Sequence, residues 1–173
     1  NVLRPEEIAI SVMVNSQISG NTARQIWENR KPVEDSLRRI GSSASIADVV
    51  DKIPWDEVGH CVDGICRVPR AKLAVASKIL HKKRPALIPM MDSVIIGYYS
   101  PLIQKQAGSL GQYAAHIMRV FRCDLLSVHD ELEAMSTFAT ALGKPITVCR
   151  ALEVLIWATL EPREYYRKHE RVS

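Results

Sequence analysis

Apolar residues recur at helical spacing along almost the whole of this chain, and nowhere do they alternate. That pattern constrains the fold more than any other feature. A period near 3.6 buries one face of a helix, whereas a period of two buries one face of a strand. Ile8 and Val12 share a face behind Pro5, Glu6 and Glu7, residues suited to a helix start. Ala23, Ile26 and Trp27 make a second short helix, and Val33, Leu37 and Ile40 a third, closed by Gly41. Ile46, Val49, Val50 and Ile53, behind Ser45 and Asp48, predict another that Pro54 stops. The stretch from Trp55 to Pro69, with Gly59 and Gly64, is the least regular.

Leu73, Ala76, Ile79 and Leu80 mark a helix from about Arg70 to Lys83, which ends because Arg84 precedes Pro85. Pro89 and Asp92 open the next, carrying Val94, Ile95 and Tyr98, and Ser100-Pro101 starts a short one. Ser109, Ser127 and Thr147 are placed to cap three later helices. The middle one carries the stripe Leu132, Met135, Phe138, Ala139 and Leu142, and Gly143 ends it. With no hairpin signal and no repeat, the expected fold is all-α: a compact multi-helix bundle of about nine short helices. A single helical domain over 1–173 is the expected organisation, with lobes 1–68 and 69–162 as the alternative and a polar tail at 163–173.

Composition narrows the function classes. The chain is 47% hydrophobic and 24% charged, which excludes a disordered segment. No apolar run approaches the length of a bilayer span, so no membrane partner is expected. Nothing in the opening residues, with Arg4, Glu6 and Glu7 among them, resembles a signal peptide, and the expected location is cytoplasmic, with reduced thiols. A net charge of +4 permits a polyanionic partner without requiring one. His60, Cys61 and Cys66 have poor spacing for zinc, and no second cysteine pair accompanies them. Ser77 and His81 lie one helical turn apart with no third group to orient them. No phosphate-cradling glycine loop is present. The expectation is therefore no metal and no cofactor. Arg150 and Glu153 are spaced to pair on the last helix, under Trp157.

The most unusual stretch runs from Ala76 to Val94, with a helix end, the cations Lys82, Lys83 and Arg84, two prolines, and Asp92 at a helix start. Each part has an everyday structural role: an Asp there caps, and cations suit a helix C-terminus. The segment from about 68 to 96 also resembles the helix-hairpin-helix DNA glycosylases. In that superfamily a Leu-Pro-Gly-x-Gly hairpin, a helix with a Thr-Ala step and a loop lead to the catalytic aspartate. Val68-Pro69 stands at the Leu-Pro, Ala76 at the alanine, Leu80 at an apolar helix position, and Met91-Asp92-Ser93-Val94-Ile95 at the aspartate motif. Arg70 and Lys72 replace the hairpin glycines, and Ala74 stands at the nucleophilic lysine of the bifunctional members, so a Schiff-base mechanism is not implied. The iron–sulfur cysteines of some members are absent too.

Most of the chain resembles a bacterial helical family of unknown function, through Ser77–Pro89 and Cys149–Trp157.

The glycosylase resemblance implies a DNA-acting protein and, in its catalytic form, a monofunctional base-excision enzyme with Asp92 stabilising an oxocarbenium-like state. DNA would meet Arg70, Lys72, Lys78, Lys82, Lys83 and Arg84. Trp55, Tyr98 and Tyr99 are the aromatics available to stack on an extruded base. The competing expectation is a non-catalytic helical module that binds DNA or a protein, with Asp92 only a cap. Location separates the two: an open cleft with a basic rim favours the enzyme, and a cap bonded to backbone N–H groups favours the module. The oligomeric state is left open.

Overall fold

The computed structural model describes residues 2–13, 18–103 and 108–159. Among the described residues there are nine α-helices, two short 3-10 turns and no strand. The helices are α1 Pro5–Met13, α2 Gly20–Glu28, α3 Lys31–Ile40, α4 Trp55–Cys66, α5 Leu73–Lys83, α6 Ser93–Tyr99, α7 Leu110–Ser127, α8 His129–Ala141 and α9 Val148–Thr159. The all-helical expectation is met, and the tail at 163–173 lies outside the described residues. One buried apolar cluster runs from Leu3 to Ile156 and draws on every helix, so residues on both sides of position 68 share it.

α4 organises the molecule, and it occupies the stretch expected to be irregular. Val58, Cys61, Val62 and Ile65 recur at i, i+3, i+4 and i+7 and are buried. The helix packs on α3, α5 and α7. Its glycines mark close approaches rather than breaks. A Cβ on Gly64 would fall 2.7 Å from Val33 Cγ2 of α3. Across the other face, a Cβ on Gly111 of α7 would fall 2.1 Å from the Gly59 carbonyl oxygen. The two backbones touch there, and Asp63 Oδ1 accepts the Gly111 N–H at 2.8 Å.

Two other expectations are corrected. Residues 46–53 form no α-helix: a turn precedes a single 3-10 turn at Val50–Lys52, and Val49 and Val50 are exposed. Eight residues ahead of a proline are too few to hold a helix by themselves, and the Ile46 N–H is taken by the Ala86 carbonyl at 2.9 Å. Ser127 does not cap α8. It is the last residue of α7 and donates to the Asp124 carbonyl, while Val128 stands uncapped at the start of α8. Of the α8 stripe, Leu132 is buried but Phe138 and Leu142 are 68% and 62% exposed. Ser109 and Thr147 cap as expected, Ser109 in a reciprocal capping box with Gln112.

The segment joining α5 to α6 is a strap through the core. Leu87, Ile88, Pro89 and Met91 are buried on it, so its backbone polar groups need internal partners. Side chains from neighbouring helices supply them. Ser77 Oγ accepts the Met91 N–H at 2.9 Å, and Glu153 Oε1 accepts the Met90 N–H at 2.7 Å. Thr147 Oγ1 donates to the Pro85 carbonyl at 3.0 Å. His81 Nδ1 lies 2.7 Å from the Ile88 carbonyl, which can only accept, so that nitrogen carries the hydrogen.

Candidate functional site

Asp92 is the N-cap of α6. Its Oδ1 accepts the N–H groups of Val94 and Ile95, each at 3.0 Å. Its Oδ2 accepts the indole N–H of Trp157 at 3.1 Å. Both oxygens therefore hold protein groups. Beneath it, Glu153 is fully buried and pairs with Arg150 Nη1 at 2.5 Å. Burial pushes the Glu153 carboxyl up, against the pull of Arg150 and of the Met90 N–H.

The six cations expected at DNA do not form one surface. Arg84 is only 4% exposed, and its guanidinium donates to the carbonyls of Leu37 (2.5 Å) and Lys83 (2.7 Å). It ties α3 to the strap and has no face left for a phosphate. Lys83 is largely covered and pairs with Glu7 of α1 at 2.5 Å. Lys78 is half-buried and Lys82 exposed, one turn apart on α5. Arg70 and Lys72 are exposed in the turn between α4 and α5, where Arg67 joins them.

That turn holds a backbone outlier. Arg70 has φ +71°, the one positive φ of a non-glycine residue among the described residues. The left-handed conformation belongs to glycine, and a side chain there costs about 1–2 kcal/mol. Arg67, Arg70 and Lys72 make no ion pair among the described residues. Arg67 was not among the expected contacts. It lies at the end of a helix that its glycines hid.

The three aromatics separate as well. Tyr99 is fully buried and donates to Asp124 Oδ2 at 2.9 Å, so it is withdrawn from any base contact. Tyr98 is exposed and meets Tyr99 edge-on. Trp55 is half-buried at the mouth of a groove of about 450 Å³ between α4 and α7. The guanidinium of Arg119 sits over its ring, 5.1 Å from the centroid. Nothing in the sequence pairs positions 55 and 119, because the glycine crossing that brings them together is a tertiary fact. No group of His, Cys, Asp and Glu suited to a metal ion occurs among the described residues. Burial pushes the Cys61 thiol up to about 12 and the Cys66 thiol up to about 11, so neither is an activated nucleophile.

No curated protein and no solved structure matches this chain, and the helix-hairpin-helix resemblance finds no support there. The model of a family of unknown function (DUF6308) matches residues 1–160, and the chain belongs to that family.

Proposed function

We propose that the protein is a non-catalytic DNA-binding module that grips the phosphate backbone through the α4–α5 turn. One observation carries this reading: Arg70 keeps a left-handed backbone that a glycine would adopt without strain, in a turn where Arg67 and Lys72 are also exposed and unpaired among the described residues. Strain of this kind persists where a side chain has a task. The first turn of α5 also lacks a side-chain cap, and a phosphate oxygen is an acceptor that such a helix start favours. Base excision draws no comparable support. It needs a carboxylate facing an extruded nucleotide, and the Asp92 oxygens serve α6 and Trp157 instead.

The Arg70→Gly variant tests the reading. Relief of the strained φ should raise Tm by about 2–4 °C, the shift that about 1 kcal/mol gives a chain of this size. Loss of one phosphate contact should weaken duplex binding and lower the slope of log affinity against log salt by about 0.9. Gln at both Arg67 and Lys72 should lower it further. Affinity that ignores salt, or an Arg70→Gly variant that binds like the parent, would overturn the proposal.

A further inference from the structure

The groove beside Trp55 is not isolated. A second recess, of about 320 Å³, shares His60 and Asp63 with it. A third, of about 330 Å³, reaches Pro69 in the α4–α5 turn and shares Gly64 and Arg67 with the second. The three make one trough along α4. It runs from Arg67 to Trp55, roughly 18 Å at 1.5 Å per helical residue. At one end Arg67 lines it beside Lys31 and Glu28, with Arg70 and Lys72 beyond in the turn, and at the other stand Trp55 and Arg119.

The charges differ between the two ends. In the groove Arg119 is offset by Asp56 and Asp63, so the site does not favour a phosphate. It favours a neutral, flat group with hydrogen-bonding edges. Arg119 is exposed, with its guanidinium carbon 5.1 Å from the centre of the Trp55 indole, and a guanidinium is a planar group on which a flat ring can stack. Nucleobases stack on such planes when they are free of a duplex. His116 and Gln112 offer donors in the same groove, and Asp56 an acceptor, for a base edge.

We infer that the trough holds single-stranded DNA, with phosphates at the turn and one base stacked on Arg119 in the groove. This rests on the backbone-binding reading above and extends it to the form of DNA preferred. A duplex can reach the turn but keeps its bases in the helical stack, away from the groove.

Arg119→Lys decides the matter, because it keeps the charge and removes the plane. Affinities are measured for a single-stranded oligonucleotide and for the duplex of the same sequence, across a salt series. The single strand should bind more weakly to Arg119→Lys by about tenfold, within the range of base–aromatic stacking. The salt slope and the duplex affinity should not change. Single-strand binding should also quench tryptophan emission in the parent and lose most of that quenching in Trp55→Phe. If Arg119→Lys binds the single strand like the parent, the groove inference falls, while the turn reading stands as long as the Arg67 and Lys72 changes weaken the duplex. If the parent binds neither form at low salt, the turn reading falls and the groove inference with it.

Discussion

Replacing the Asp92 carboxylate with an amide separates its charge from its shape. An asparagine still caps α6 through its oxygen, but its NH₂ then meets the Trp157 N–H, two donors face to face. Asp92→Asn should lower stability by about 0.5–1 kcal/mol, from the helix-dipole term and the lost indole bond. Asp92→Ala, which removes the cap, should cost about 1–2 kcal/mol. Urea denaturation reads both, and DNA affinity should follow neither. An Asn variant of parental stability that had lost an excision activity would restore the catalytic reading. At this scale the sequence is informative wherever an interaction is local. The caps at Asp92, Ser109 and Thr147 reach only two or three residues ahead, so the residues themselves announce them. Arg84 is illegible for the opposite reason: its Leu37 acceptor lies 47 positions away.

Among elements, the crossing of α4 and α7 turns on which of two glycines is changed. A Cβ on Gly59 would meet Gly111 backbone atoms at 3.5 Å, an ordinary contact. Gly59→Ala should therefore be tolerated, and helix propensity offers up to about 1 kcal/mol in its favour. A Cβ on Gly111 would meet the Gly59 carbonyl at 2.1 Å, and a backbone atom cannot swing aside. Gly111→Ala should destabilise by about 1–3 kcal/mol and push α7 off α4, opening the groove. Melting temperatures of the two variants check this, and equal effects would count against the crossing. The same glycines explain why α4 was illegible. A glycine reads as a break unless one knows that a neighbouring helix needs the space. The misread stretch at 46–53 is the converse, a helical spacing too short and too exposed to nucleate. The candidate site suffered most, since Trp55 and Arg119 meet only through this crossing.

For the whole molecule, acid stability is a contest between opposed carboxyls. The Arg39 hydrogen bond holds Glu57 down to about 2, from an ordinary 4.5. Glu7 is pushed up by burial, but the Lys83 bond, the Arg4 N–H and the charges of Lys83 and Arg4 together outweigh that and leave it below the ordinary value. Both stabilise the fold above pH 4.5, and that contribution is lost as pH falls through their folded values. Glu153 works the other way. Its folded carboxyl keeps a proton to higher pH than the unfolded one, so its contribution is present below pH 4.5 and lost as pH rises through the folded value. Unfolding free energies measured from neutral pH down to about 2 should fall less steeply in Glu57→Gln than in the parent, and more steeply in Glu153→Gln. Identical slopes in all three proteins would contradict the pairing described.

The strap between α5 and α6 bears on how such a chain can drift over generations. The polar side chains that hold it bind main-chain atoms: Ser77 and Glu153 take N–H groups, and Arg84 and Thr147 take carbonyls. Every residue type except proline carries those same atoms. Leu37, Met90 and Met91 can thus be exchanged for other side chains that pack, without any answering change at 77, 84 or 153. Through these bonds selection acts on Ser77 and Arg84 singly, whereas Glu153 is also tied to the Arg150 side chain. Paired substitutions, the usual trace of two touching residues, would be missing between the strap's main chain and the side chains that hold it.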